Sequence, residues 1–202
     1  MFKQISELRM AQADGSLPTA VAAGSAPGES GVFVFAVRFH GGGHVSATAQ
    51  LHHICIQVTP CAHIDCRIAD ETLSHRPSRG CVAICPSGAD CSADGEGSVE
   101  AIIVAIDPGQ FALAAAEGSA FEAELIARLS TYDQALFDLA RSLAMECADG
   151  YPSGIDMQDT FVVCDGDMVT TAFYRHDRSR AARPAYQFAA TANTPRTNTP
   201  RK

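Results

Sequence analysis

The sequence is poor in aromatic residues: it has no tryptophan, and aromatic residues make up 7% of its 202 residues. Surfaces that stack sugars or nucleobases are built from such rings, so the composition argues against both kinds of surface. No run of about 18 apolar residues is present, and residues 1–10 lack an apolar signal core. We therefore expect no transmembrane helix and no export signal, and we predict a cytoplasmic protein without a membrane partner.

Several catalytic signatures are also missing. There is no GxSxG nucleophile motif and no CxxC pair, and Gly41-Gly42-Gly43 lacks the strand, helix and lysine of a phosphate-binding loop. The eight cysteines are expected to be reduced thiols in the cytoplasm, and small buried hydrophobes are the favoured interpretation. A thiol- or metal-sensing role is the alternative. We predict a chain that is not an enzyme and holds no cofactor or metal.

Acidic and basic residues are unevenly distributed. The formal net charge is −8, but residues 175–202 contain seven basic residues and one acid, which leaves about −14 on the rest of the chain. An acidic body repels the phosphate backbone of nucleic acids. Direct DNA binding is therefore not expected from the folded part.

Short β-rich runs dominate the first half of the chain. Gly, Pro and Asp separate runs at residues 32–37, 51–59, 62–68, 81–85 and 99–106. This spacing is typical of a β-sandwich or barrel. Residues 1–31 are rich in Ala, Gly, Ser and Pro after residue 10, and are interpreted as a flexible lead-in. The three glycines at 41–43 are interpreted as a hairpin connection.

The period changes to helical after Pro108. Residues 108–117 predict one helix, Ser119 to Glu122 forms a capping box for a second, and Asp133 is a candidate N-cap. Six residues recur at spacings of three and four, which predicts one apolar stripe: Leu125, Leu129, Tyr132, Leu136, Leu139 and Leu143. The stripe either packs on the barrel or forms a dimer interface, and both interpretations stay open.

The segment around residues 80–88 resembles a known family motif. Gly80, five residues and then Pro86-Ser87-Gly88 are similar to the second cupin motif, in which the glycine enters a strand and the Pro-x-Gly turn leaves it. Metal-bearing cupins carry a histidine shortly after this turn, where the present chain has Ala89, Asp90 and Cys91. The His-x-His pair of the first motif is missing as well. The resemblance implies an α+β fold: a cupin-like β-barrel (double-stranded β-helix) without metal, followed by two or three α-helices.

The order of segments resembles the N-terminal half of AraC-type transcription regulators. That resemblance implies an effector-sensing barrel at residues 32–107, a helical dimerisation segment at 108–152, a small-molecule effector and a homodimer. The DNA-binding helix-turn-helix part is absent, so DNA would be reached only through an intact relative or a missing domain. Residues 153–202 are atypical, and we expect them to be largely disordered after a truncation or frameshift, with a possible hairpin between 161–164 and 168–173. The alternatives are a stand-alone cupin-like small-molecule-binding module and a metallo-cupin enzyme.

The strand at residues 51–58 is the candidate wall of the effector pocket. Alternation divides its side chains into two faces. One face, with His52, Ile54, Ile56 and Val58, is favoured for core packing. The other face predicts the ligand contacts, which are His53, Cys55 and Gln57.

Overall fold

The computed structural model describes residues 8–25, 31–47, 50–117, 125–150, 159–165 and 168–174. Its strands in chain order are β1 (Leu8–Gln12), β2 (Thr19–Ser25), β3 (Val32–Phe39), β4 (Gly43–Ala47), β5 (His52–Gln57), β6 (His63–Ile68), β7 (Glu71–His75), β8 (Cys81–Cys85), β9 (Cys91–Glu96), β10 (Val99–Ile106), β11 (Arg128–Tyr132), β12 (Asp159–Asp165) and β13 (Met168–Tyr174). The helices are α1 (Pro108–Glu117) and α2 (Gln134–Ala148).

Eleven of the described strands build two antiparallel sheets that pack face to face. The five-stranded sheet has the order β1-β4-β9-β6-β7, and the six-stranded sheet has the order β11-β8-β5-β10-β3-β2. Eight of these strands, β3 to β10, are divided as β3-β10-β5-β8 and β4-β9-β6-β7, which is the strand order of a double-sheet jelly roll, the architecture of cupins. The expectation of a cupin-like β fold is therefore confirmed. We call the space between the two sheets the lumen.

Glycines mark three of the places where the chain crosses between the sheets. Gly42 has φ +107°, and a Cβ on it would lie 2.7 Å from the carbonyl oxygen of Gly95. The 41–43 segment thus joins β3 to β4 in the other sheet, and its interpretation as a hairpin connection was wrong. Gly80 and Gly88 also have positive φ, 83° and 90°, and they bracket β8 and the turn that starts at Pro86. This is the arrangement that the cupin-like motif predicted.

Each described helix begins at a side-chain cap. Asp107 Oδ1 accepts hydrogen bonds from the backbone N–H groups of Gly109 and Gln110, at 2.8 and 3.1 Å, and starts α1. Asp133 Oδ1 accepts from the backbone N–H of Leu136 at 2.9 Å and starts α2, as the sequence predicted. Within the described residues, no helix is long and apolar enough to cross a membrane.

The N-terminal segment differs from its prediction as a flexible lead-in. β1 pairs with β4 at the edge of the five-stranded sheet, and β2 pairs with β3 at the edge of the six-stranded sheet. The barrel therefore extends well before residue 32. Small residues in β2 hid this strand, because Ala and Gly have low β-propensity and match a loop composition.

The prediction of a single apolar stripe on one helix was also wrong. Leu125 precedes a strand, and Leu129 and Tyr132 belong to β11, which pairs with β8. Three further members of the stripe lie in α2 and are buried with Leu125 against the six-stranded sheet: Leu136, Leu139 and Leu143. Of the six, only Tyr132 is well exposed, at 59%. These four leucines pack on their own barrel, so a dimer formed through them would have to uncover its core.

The last described strands, β12 and β13, pair with each other in antiparallel register. This agrees with the hairpin expected near residues 161–173 and limits the expectation of a largely disordered tail. The rest of the tail and the capping box at residues 119–122 lie outside the described residues.

Candidate functional site

The two faces of the six-stranded sheet have different surroundings. Ile54 and Ile56 of β5 point toward the helices and belong to a core cluster with α1 and α2, in which both are 0–1% exposed. Cys55 points the other way and packs with side chains of both sheets, among them Phe35 and Val45. The division of β5 into a core-packing face and a second face is thus present in the structure.

A cavity of about 100 Å³ lies in the lumen. Apolar cavities of about 150 Å³ accept benzene-sized molecules, so this one suits a small ligand. Its wall is mostly apolar, with Val45, Ile64 and Ile103 from both sheets. Cys55 and Gln57 also line it, whereas His53 is not part of its wall. Two of the three predicted ligand contacts therefore lie at one cavity.

The Gln57 amide is a polar group of this wall, which also includes Arg67, His75 and Ser92. Its Nε2 atom is buried and has no hydrogen-bond partner among the protein atoms that the structure describes. Its backbone is fixed, because the Gln57 carbonyl accepts from the backbone N–H of Gly80 at 2.8 Å. A buried amide donor without a partner costs about 1–3 kcal/mol, so this position favours a ligand that supplies an acceptor.

Five cysteines line the same cavity. Three come from the six-stranded sheet and two from the five-stranded sheet: Cys55, Cys81, Cys85, Cys66 and Cys91. All are free thiols. Burial raises the pKa of the Cys66 thiol to about 11 and raises the pKa of Cys55 still further. These two cysteines therefore remain protonated at neutral pH and contribute polarisable, weakly polar wall.

Cys85 and Cys91 behave differently from the other lumen cysteines. They end β8 and begin β9, on opposite sheets, and Cys85 Sγ donates to the backbone carbonyl of Ala89 at 3.3 Å. Interaction between the two thiols raises the pKa of Cys85 and lowers the pKa of Cys91.

Two adjacent histidines occupy opposite faces of β5. His52 is 8% exposed, its Nδ1 accepts from the backbone N–H of Ser87 at 2.9 Å, and its ring meets Phe111 edge-on at 5.1 Å. His53 is 2% exposed and its Nδ1 has no described partner. Desolvation, followed by repulsion from His52, lowers the pKa of His53 to about 4. His53 is therefore a neutral, buried ring rather than a ligand contact on the cavity wall.

The described residues do not fit a metal centre. No three His, Cys, Asp or Glu side chains in this part of the chain come together in a geometry that could hold a metal ion. His63 Nε2 lies 3.3 Å from Asp65 Oδ1, whereas Cys61 is buried and donates to the backbone carbonyls of His63 and Glu96.

The sequence did not predict that the five cysteines would line one cavity. Alternation places Cys81 and Cys85 on one face of their strand, and the cupin-like motif draws attention to Cys91. Alternation along each strand indicates which of its cysteines share a face. It does not indicate that cysteines of the two sheets meet, because that depends on which strands face one another across the lumen.

The comparisons with known proteins give weak likenesses. No protein-family model matches the chain, and no curated protein matches it. Among solved structures, it is similar to a cupin domain from Bordetella pertussis (15% identity, TM-score 0.34, covering 45% of this chain and 95% of that one). It is also similar to the cupin domain of Schizosaccharomyces pombe Cnp3 (15%, 0.36, covering 48% and 69%).

A third similar structure is an oxalate decarboxylase from Bacillus subtilis, described as having Mn(II) centres (15% identity, TM-score 0.33, covering 39% of this chain). The match spans 22% of that enzyme's length. At such TM-scores the assignment of the fold rests on the strand order given above. The molecule has a cupin-like β fold with a thiol-lined cavity between its sheets.

Proposed function

We propose that this chain is a cupin-like module that binds a small, largely apolar molecule carrying a hydrogen-bond acceptor. The observation that carries the proposal is the buried Gln57 Nε2, which lines the lumen cavity and has no hydrogen-bond partner among the described residues. The apolar wall would hold the body of the ligand, and the amide would orient its acceptor. Binding without catalysis is part of the proposal.

The ligand is small by the size of the cavity. A volume of about 100 Å³ admits a five-membered ring or a short branched chain. The thiols of Cys55 and Cys81 offer weak donors and polarisable contacts rather than charges. A ligand with a carbonyl or hydroxyl group would supply the acceptor that Gln57 Nε2 lacks among the described residues.

A matched pair of probes tests the proposal. Cyclopentanone and methylenecyclopentane have nearly the same shape, but only the ketone has an acceptor. We expect ligand-detected NMR to show that the protein prefers the ketone, by about tenfold for a hydrogen bond of about 1.4 kcal/mol. Gln57→Leu should remove this preference while both probes still bind.

A second variant tests the location. Ala83→Leu adds volume to the cavity wall and should abolish binding of both probes. Leu113→Ala, at a position 61% exposed on α1, is the matched control and should leave binding unchanged. Equal affinity of the two probes for the parent protein, or binding that survives Ala83→Leu, would contradict the proposal.

A role as part of an AraC-type regulator is a second candidate function. It rests on the order of the elements, in which the barrel is followed by α2. The burial of Leu136, Leu139 and Leu143 against the barrel favours the stand-alone module instead. Homodimerisation, a regulated promoter and a cytoplasmic location stay predictions. Light scattering of the purified chain measures the first of them: a monomer at micromolar concentration would count against the regulator.

A further inference from the structure

The loop between β7 and β8, residues 76–80, lies between the lumen cavity and solvent. Pro77 is buried and lines the cavity, whereas its neighbours Arg76 and Ser78 are exposed. At this point a single layer of main chain therefore divides the cavity from water. We call residues 76–80 the cover.

Main-chain hydrogen bonds fix the cover near its two ends. The backbone N–H of Cys61 donates to the Pro77 carbonyl at 3.1 Å, and the backbone N–H of Gly80 donates to the Gln57 carbonyl at 2.8 Å. Gly80 has φ +83°, a conformation that glycine adopts without strain. The second of these hydrogen bonds joins the cover to β5, which carries the polar contact of the proposed site.

Two aromatic side chains hold the exposed middle of the cover. The Tyr132 hydroxyl accepts a hydrogen bond from the backbone N–H of Ser78 at 3.3 Å and shares another with the Ser78 hydroxyl. The Arg79 guanidinium lies over the ring of Phe137, 5.0 Å from its centroid. Tyr132 ends β11 and Phe137 lies near the start of α2, so both contacts come from one short stretch of chain.

The hydroxyl of Tyr132 contributes more to the cover than its ring contributes to the core. Tyr132 is 59% exposed, so its ring buries little apolar surface, while its hydroxyl contacts Ser78 twice. Removal of the hydroxyl alone would therefore release the middle of the cover and leave the packing of the two sheets intact.

We propose that Tyr132 is a positioning residue for the lumen site: through Ser78 it holds the cover closed, and release of this contact sets the rate at which small molecules enter and leave the cavity. The inference rests on the proposed binding function for what passes the cover. The contact of Arg79 with Phe137 is a second tie, and it joins the cover to α2.

The cysteines of the cavity wall report on the cover without any ligand. Cys81, directly after the cover, and Cys55 on β5 should react with methyl methanethiosulfonate when the cover opens. Tyr132→Phe should speed the labelling of each by about tenfold, because lost hydrogen bonds shift the opening equilibrium by that amount. Comparison of the same cysteine in both proteins cancels its intrinsic reactivity. Cys147, which packs against the helix-covered core, is the reference and should keep its rate.

A matched control acts at another crossing between the sheets. Gln12 Oε1 accepts from the backbone N–H of His40 at 2.8 Å and fastens the segment that joins β3 to β4. Gln12→Ala should leave the labelling of Cys81 and Cys55 at the parent rate. Equal acceleration in Gln12→Ala and Tyr132→Phe, or the parent rate in Tyr132→Phe, would overturn the proposal.

Probe kinetics separate the cover from the binding function. In Tyr132→Phe, relaxation-dispersion NMR should show cyclopentanone entering and leaving faster by the same factor as the labelling. Its Kd should change by less than about twofold, since the closed state stays dominant. A weaker Kd with unchanged rates would show a structural role only and would count against the proposal. If the parent protein does not bind cyclopentanone, the proposed function fails, and the labelling still decides whether Tyr132 holds the cover.

Discussion

The helix-covered face and the lumen face of the six-stranded sheet are built from the same strands and differ in almost every other respect. The first carries large β-branched side chains, such as Ile54, Val82 and Ile84, each 0–1% exposed. On β5 and β8 the second carries small or sulfur-containing side chains, such as Cys55 and Ala83, and these line a cavity. A step of one residue along a strand moves a side chain from the part that stabilises the fold to the part that can bind.

The largest expected effect is a truncation on the helix-covered face. Ile56→Ala should lower the free energy of unfolding by about 2–5 kcal/mol, because Ile56 is fully buried among side chains that cannot all close the space. Cys55→Ala, at the adjacent position on the lumen face, should cost less than about 1 kcal/mol. Urea denaturation measures both. Similar losses for the two variants would remove the distinction between the faces.

The adjacent histidines extend the comparison to pH. The pKa of His53 is about 4 in the folded protein and about 6.5 in an unfolded chain. The unfolded state therefore binds the proton first as the pH falls. Above pH 6.5, where His53 is neutral in both states, the free energy of unfolding is not reduced by its titration. Between pH 6.5 and pH 4 the free energy of unfolding falls by about 3 kcal/mol, because the unfolded chain takes up a proton on His53 that the folded protein does not.

His53→Leu isolates this contribution from that of the carboxylates, which also titrate in acid. The variant should lose less stability than the parent between pH 7 and pH 4, by denaturant midpoints at each pH. The pKa of His52 is lowered in the same direction by burial, so His52→Leu provides the matched measurement. A parent and a His53→Leu variant with parallel pH profiles would contradict the burial of His53 as a neutral ring.

A smaller effect is expected at the cap of α2. Asp133→Ala removes the acceptor for the backbone N–H of Leu136 and should cost about 1 kcal/mol. Asp138→Ala, which removes an exposed side-chain hydrogen bond with Gln134, is the control and should cost less. Neither change touches the lumen, so ketone binding at Gln57 should be the same in both. A loss of binding in Asp133→Ala would show that the two faces are coupled.

Sequence reasoning was sufficient for the middle of the fold. The strands at β3, β5, β6, β8 and β10 and the helix α1 were predicted close to their observed bounds, since each has apolar alternation or clear terminators. β4 and β9 were missed because Gly, Ser and Asp interrupt their pattern. β11 was taken for helix, because Leu129 and Tyr132 fall at helical spacing by chance.

The candidate site was predictable in part. The alternation of β5 correctly separates Ile54 and Ile56 from Cys55 and Gln57, because one face of a strand is all that alternation encodes. It does not show that His53 lies beyond the cavity wall, since that depends on where along the strand the lumen narrows. The convergence of five cysteines on one cavity depends on the crossings between sheets, which no local pattern specifies.

The central position of β10 has a consequence for how the chain folds. β10 lies between β3 and β5, and Val99 pairs with Phe39, so the middle of this sheet is held by contacts between residues far apart in sequence. Such pairings slow folding, because a long loop must close before the contacts form. During synthesis, β5 and β8 leave the ribosome before the strand that joins them to β3. Until residue 106 has emerged, β5 lacks its neighbour β10, and the six-stranded sheet cannot be completed.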